Sequence, residues 1–413
     1  MIIKRDYYLQ QLISSKSNNL IKIVTGIRRS GKSFLLFNLF HNHLIETGIS
    51  EDHIIEIALD DRLNKNLRDP DVILQHIHER IVDDKLYYII LDEVQMIDEF
   101  TDVLNSLLHI RNADVYVTGS NSKFLSKDVV TEFRGRGDEI HLFPLSFAEL
   151  YNSIGGDKFE LWKSYYTYGG LPGILELDSE KKKAAYLRSL HETVYLKDII
   201  ERNNLKNSEE FMELMRVMAS CIGSPCNPSK LENTFKSVKS ETLDRKTISK
   251  YLSYMEDAFL IEKSMRYDIK GRKYIGTLSK YYFQDIGLRN ALLNFRQVEE
   301  NHIMENVIYN ELRLRGFCVD VGMVEARTAK ERKQLEVDFV ANMADRRYYI
   351  QSAFAMPDDD KREQESASLK RIDDSFKKII IMRDDIKPYH DNNGFYIVGL
   401  MDFLLKPNLI EQL

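Results

Sequence analysis

The sequence predicts an α/β protein: a parallel sheet interleaved with helices, then a largely helical stretch, then a second mixed α/β region. Three observations predict it. Over the first third, short apolar runs alternate with helical patterns, the sign of strands joined by crossover helices. A glycine-rich segment, Gly26-Ile-Arg-Arg-Ser-Gly-Lys-Ser33, stands between one such strand and the helix after it. From about residue 147 to 295 the pattern is almost wholly helical, and after about 296 strands return.

Strands are expected at Ile21–Thr25, Ile54–Leu59, Tyr87–Leu91, Val115–Thr118 and Ile140–Phe143, and helices at Lys32–Glu46, Asp71–Val82, Glu99–His109 and Lys123–Phe133. Pro144-Leu-Ser starts a new segment, with Ser146 as the natural N-cap of a helix at Phe147–Tyr151. Asn227-Pro-Ser-Lys-Leu-Glu opens a short helix and Asp244-Arg-Lys-Thr a second, followed by two strands at Ile261–Tyr267 and Lys273–Leu278. Helix, helix, β-ribbon is the order of a winged helix-turn-helix. The tail reads as a helix at Glu299–Arg315 with strands near Cys318–Val321, Glu336–Val340, Tyr348–Ser352, Lys378–Met382 and Phe395–Gly399. The expected domains are 1–146, 147–205, 206–295 and 296–413, since 413 residues exceed what one hydrophobic core fills.

Composition excludes several classes. Apolar residues make up 43% and charged residues 30%, and no run approaches the roughly 18 apolar residues of a membrane span. Cys221, Cys226 and Cys318 form no Cys-x-x-Cys, so neither a disulfide framework nor a zinc site is expected, and the cytoplasm is the natural compartment. A net charge of −6 gives no global attraction to nucleic acid. His41 and His43, like His76 and His78, are two apart and do not share a helix face. Met212, Met215 and Met218 recur every three residues, as core packing does.

The chemistry concentrates in four segments. In Gly26–Ser33 the glycines let backbone N–H groups wrap phosphates. Lys32 then reaches the β- and γ-phosphates and Ser33 supplies a Mg²⁺-ligating hydroxyl. Gly26, Ile27, Arg28, Arg29, Ser30, Gly31, Lys32, Ser33 and Phe34 are the expected nucleotide contacts. Arg28 and Arg29 face phosphates, a neighbouring subunit or solvent. Tyr87-Tyr-Ile-Ile-Leu-Asp92-Glu93 is an apolar strand ending in two acids, with Asp92 the second metal ligand and Glu93 the base that activates water. Val115-Tyr-Val-Thr-Gly-Ser120-Asn121 ends in small polar groups, and Asn121 or Ser120 is placed to bond the γ-phosphate or the water. Arg136, with Arg134 beside it, lies among glycines and suits an arginine finger. ATP and Mg²⁺ are the expected ligands.

These segments together resemble the AAA-type P-loop ATPases of archaea and bacteria that carry a C-terminal domain of unknown function. The likeness rests on Gly26–Ser33, Leu91-Asp-Glu-Val-Gln95, Thr118-Gly-Ser-Asn-Ser122, Gly135-Arg136, Pro144-Leu-Ser-Phe147 and Tyr168-Gly-Gly-Leu-Pro172. It implies an AAA-type sheet, a helical lid, a winged helix and a nuclease-like tail.

The ribbon from Glu262 to Tyr282 carries Lys263, Arg266, Lys270, Arg272, Lys273 and Lys280 against Glu262 and Asp268. With Arg245, Lys246 and Lys250 on the preceding helix, it is either a contact for double-stranded DNA or a protein-packing surface. The tail resembles restriction-endonuclease-like folds, which implies a helix acid at Glu305 and a strand acid at Asp338. Where an acid-x-Lys should follow, the chain has Gln351-Ser-Ala353, so the tail is expected to be inactive unless Lys361 or Lys370 has migrated into the role. The leading reading is an ATP hydrolase, homo-oligomeric if Arg136 acts between subunits, that repositions a binding platform. A non-hydrolysing nucleotide switch and an ATP-dependent nuclease are the alternatives.

Overall fold

Alternate side chains of a strand point to opposite faces, so a strand covered on both faces is apolar throughout. Four largely apolar strands and a more polar, half-exposed edge strand form the first sheet in this computed structural model, which describes residues 3–119, 135–239, 243–327 and 332–412. They are β1 (Ile21–Thr25), β2 (Ile54–Ala58), β3 (Tyr87–Asp92), β4 (Ala113–Thr118) and β5 (Gly137–His141), all parallel, in the order β2-β3-β4-β1-β5. On one face Ile21, Ile23, Ile89 and Val117 pack with Ile73, Ile77 and Leu104. On the other Val24, Tyr88, Ile90 and Tyr116 pack with Tyr8, Leu36, Phe40 and Leu44. One polar pair breaks the pattern: Lys22, fully buried, pairs with Asp114 on the neighbouring β4, and Tyr116 donates to the same carboxylate at 2.9 Å.

The helix opened by Lys32 runs through Lys32–Phe34, Leu35–Phe40 and His41–Glu46 without a break, its middle stretch in π register. Pro70–Arg80 starts with proline at its first turn and Asp69 accepting from two backbone N–H groups, as helix N-termini require. The helix expected at Lys123–Phe133 lies outside the described residues. No helix among the described residues is long and apolar enough to cross a membrane.

The chain divides into two compact units. Met1–Leu145, Leu171–Glu176 and Asp257–Phe259 form the first; Ser146–Gly170, Leu177–Glu256 and Leu260–Leu413 form the second. In the second, Ser146 and Glu149 close a reciprocal capping box at the head of Phe147–Ile154. Gly169 and Gly170 pack on Asp285: Gly170 N donates to Asp285 Oδ2 at 2.8 Å, and a Cβ on Gly169 (φ 76°) would fall 2.4 Å from Asp285 Oδ1. That close approach is why position 169 is glycine. Met215 and Met218 are core residues of Ser208–Ser220.

An eight-stranded sheet organises the rest. It holds β6 (Ile261–Asp268), β7 (Lys273–Phe283), β8 (Cys318–Arg327), β9 (Arg332–Met343), β10 (Arg346–Ala353), β11 (Lys377–Met382), β12 (Tyr389–His390) and β13 (Tyr396–Gly399), in the order β12-β13-β11-β10-β9-β8-β6-β7. The ribbon β6–β7 is part of this sheet, because β6 pairs in parallel with β8. The helix Glu300–Leu314 buries Ile303, Met304, Ile308 and Leu312 against it, with Phe147 and Trp162 in the same core.

Candidate nucleotide site

In a parallel sheet the strands point one way, and their C-terminal ends share one edge. Thr25, Asp92 and Thr118 end β1, β3 and β4 at that edge. The loop after β1 turns on Gly26 at φ 135°, where a Cβ would stand 2.2 Å from the Leu142 carbonyl oxygen. Arg29 and Gly31 also take positive φ, at 66° and 98°, so the loop folds tightly before Lys32 opens the helix.

Lys32 is 5% exposed. Its ammonium donates to the carbonyls of Gly26 at 3.0 Å and Ile27 at 3.2 Å. Burial pulls its pKa down to about 8, against the attraction of Glu93 and Asp92, and Arg28 pulls the same way as burial. Ser33, exposed, donates from Oγ to Asp92 Oδ2 at 2.7 Å. Thr118 donates to the other Asp92 oxygen and accepts from Glu93 N at 2.9 Å. Burial holds the Asp92 carboxyl above its usual range, outweighing the hydrogen bonds from Thr118 and Ser33. Glu93 sits in a left-handed conformation (φ 55°), and Gln95 donates to its carboxylate. The hydroxyl of Ser33 and the carboxylate of Asp92 are hard oxygen donors facing one another, which fits Mg²⁺.

Two contributors are not evident from the local sequence. Thr118 stands there as one of several small polar residues at a strand end, yet it ties Asp92 to the backbone of Glu93. Arg5, 4% exposed, donates to the Ser30 carbonyl at 3.3 Å and the Phe143 carbonyl at 2.8 Å. Its guanidinium lies 4.6 Å from the centre of the Tyr8 ring. It braces the phosphate loop from the N-terminal helix Asp6–Ser14, and no local spacing announces it.

Other expectations need correction. Arg136 is exposed at the start of β5, where its carbonyl accepts from Ile21 N at 2.9 Å. The phosphate loop follows the far end of β1. Five residues of strand at about 3.3 Å each put roughly 16 Å of backbone between them, so Arg136 starts from the opposite edge of the sheet to that loop. Ser120, Asn121 and Arg134 lie outside the described residues. In the ribbon Lys263, Lys270, Arg272 and Lys273 are exposed, as are Arg245 and Lys246. Arg266 and Lys280 are not, at 8% and 2%, which removes two cations from the basic surface. Arg266 instead donates to Met323 Sδ and Gln334 Oε1. Neither Lys361 nor Lys370 has migrated to the acids of the tail: they pair with Glu365 and Glu363. The lysine beside Glu305 and Asp338 is Lys280.

Residues 18–151 match the family model of an AAA domain, and residues 159–299 match a domain of unknown function, DUF8612. An uncharacterized protein of Haemophilus influenzae is 33% identical over 414 residues, covering 98% of this chain and 99% of that protein. Uncharacterized protein MJ1544 of Methanocaldococcus jannaschii is 29% identical over 428 residues, covering 99% of this chain and 89% of that protein. Among solved structures, the Aeropyrum pernix ORC1 protein in complex with DNA covers 71% of this chain and 92% of its own, at 13% identity and a TM-score of 0.29. The S. cerevisiae Hsp104–ADP complex covers 62% and 39%, at 15% identity and a TM-score of 0.32. Neither likeness bears on function at such scores. The near end-to-end match to the Haemophilus protein does place the chain: it belongs to that protein's family, with an AAA domain over residues 18–151 and DUF8612 over residues 159–299.

Proposed function

We propose that the chain binds ATP with Mg²⁺ and hydrolyses it, and that the cycle acts on the second unit. The observation that carries this is the Ser33–Asp92 contact at 2.7 Å beside a buried Lys32, whose ammonium donates to two carbonyls of the phosphate loop. Lys32 binds the β- and γ-phosphates, and the backbone of Gly26–Ser33 wraps them. Ser33 and Asp92 would hold Mg²⁺, which neutralises phosphate charge when bound. Glu93, fixed through Thr118 and Gln95, orients the attacking water and takes its proton as the water oxygen closes on the γ-phosphorus and the bond to the β-phosphate oxygen breaks. Arg136, starting from the opposite edge of the sheet to the phosphate loop, fits a homo-oligomer in which it faces a neighbour's nucleotide.

Within the second unit the proposed order is a helical lid (147–205), a winged helix (206–295) and a nuclease-like fold (296–413), with the ribbon β6–β7 of the winged helix extending the sheet of that fold. The exposed Arg245, Lys246, Lys270, Arg272 and Lys273 are the proposed contacts to double-stranded DNA phosphates. The test is Mg²⁺-dependent ATP hydrolysis by the wild type, by Lys32→Ala and by Glu93→Gln. Lys32→Ala is expected to lose binding. Glu93→Gln is expected to keep binding and lose turnover by about 100-fold or more, the usual range of a general base. Full activity in both variants would sink the reading. The position of Arg136 favours one second reading, a nucleotide switch that is nearly silent as a monomer; intact ATP released from dilute protein would support it.

A further inference from the structure

A second set of charged side chains converges in the second unit. Lys280 comes from β7, Glu305 from the helix Glu300–Leu314, and Glu336 and Asp338 from β9. Lys280 Nζ lies 2.8 Å from Glu305 Oε1, 2.7 Å from Glu336 Oε1 and 3.8 Å from Asp338 Oδ1, with its side chain 3% exposed. Tyr282 donates to the same Glu305 oxygen at 2.8 Å, and Ser352 N donates to Asp338 Oδ2 at 2.8 Å.

The nuclease likeness of the tail implies a divalent cation bound by a helix acid, a strand acid and an acid on the next strand. The residues present do not fit one. The third position is Gln351, whose Oε1 accepts from Ser368 at 3.4 Å, and Ala353 beyond it is buried without a polar group. Carboxylate oxygens that a metal would draw to about 2.0–2.6 Å here surround an ammonium or accept from Tyr282 and Ser352. Among the described residues no group of three metal-ligating side chains is arranged to hold a metal ion. A divalent cation entering this space would meet a positive charge already held by two carboxylates.

We propose that Lys280 is the resident cation of this cluster: its ammonium occupies the place of a divalent metal, and the acid site of the tail is closed and metal-free in the folded protein. The ammonium also ties edge strand β7 to the helix Glu300–Leu314 and, across β6 and β8, to β9. Lysine suits the task because its charge is compact and its three donors can serve three acceptors. The site is then a structural lock, and cutting of a phosphodiester is not among its activities.

The experiment is Mn²⁺ titration followed by the electron paramagnetic resonance of free Mn²⁺, in a Ser33→Ala background that disables the nucleotide site. Three full-length proteins are compared: Ser33→Ala alone, with Asp338→Asn, and with Lys280→Met. The first two are expected to be indistinguishable, with no Mn²⁺ taken up below about 1 mM, the weak end of oxygen-ligand sites. The Lys280→Met protein is expected to gain one site. Uptake by the Ser33→Ala protein that Asp338→Asn abolishes would overturn the proposal, as would a folded Lys280→Met protein that takes up none. The first comparison decides even where the lysine variant does not fold.

Discussion

Binding of nucleotide should draw protons onto the protein, and Lys32 sets how many. Burial is the chief reason that its pKa stands at about 8. In an unfolded chain it would titrate near 10.4. Above pH 8 the folded protein therefore carries fewer protons at this position than the unfolded one, and stability from this group rises with pH between about 8 and 10.5. A difference of about 2.5 units corresponds to about 3 kcal/mol withheld from the folded state at neutral pH. Two phosphates beside the ammonium reverse the balance, because opposite charge favours the charged form. Lys32 should then take up about 0.1 proton per nucleotide at pH 7, about 0.5 at pH 8 and about 0.9 at pH 9, from a starting pKa of about 8. The assay is calorimetric titration with a non-hydrolysable ATP analogue and Mg²⁺, repeated in buffers of different ionisation enthalpy. Terminal phosphates titrate near pH 6, so the rise from pH 8 to 9 isolates the lysine. Lys32→Arg is the control, since arginine stays charged. Uptake that stays near zero at pH 8 and 9, or that survives in the arginine variant, would refute the reasoning.

Gly26→Ala must place a Cβ 2.2 Å from a backbone oxygen at φ 135°; such conformations cost about 1–3 kcal/mol before any clash, so nucleotide Kd should rise at least about tenfold, read by fluorescence titration. Asp114→Asn leaves the fully buried Lys22 without its counter-charge and should cost about 3–5 kcal/mol in urea unfolding. Lys270→Ala, Arg272→Ala and Lys273→Ala combined should flatten the salt dependence of DNA binding by about one unit of log–log slope for each phosphate no longer neutralised; an unchanged slope would assign the ribbon to protein packing.

What is legible in the sequence follows from what is local. Strands β1 to β4 of the first sheet are short apolar runs, because both their faces are covered, whereas the polar edge strand β5 starts three residues before the apolar run expected at Ile140–Phe143; the loop at Gly26 carries its chemistry in eight consecutive residues. Asp92 and Glu93 stand at a strand end, so their edge of the sheet is also readable. Arg5 is not: its acceptors are 25 and 138 residues away. Thr118 reaches Asp92 only because β4 lies beside β3, and strand order is not written in any one strand. The ribbon misleads for a related reason. Lysine and arginine read as surface residues until a partner is known, and the partners of Lys280 come from β9 and a helix. Arg136 is different, since its place is readable: it precedes its strand, whereas the phosphate loop follows one, and in a parallel sheet those are opposite edges.

The two acid clusters pose one problem and differ in its solution. Buried carboxylates are costly unless a cation meets them at close range. At the first sheet Asp92 is held by two hydroxyls, Ser33 faces outward, and burial raises the carboxyl further than its hydrogen bonds lower it. Such a cluster is stabilised by whatever brings a cation to it, and under the proposed function a nucleotide arriving with Mg²⁺ would do so. In the tail the cation is covalently part of the chain. Lys280 completes the cluster during folding, so no ligand is needed to finish it and none gains by entering. The same residue types therefore serve exchange in one unit and permanence in the other, and the difference lies in whether the positive charge can leave.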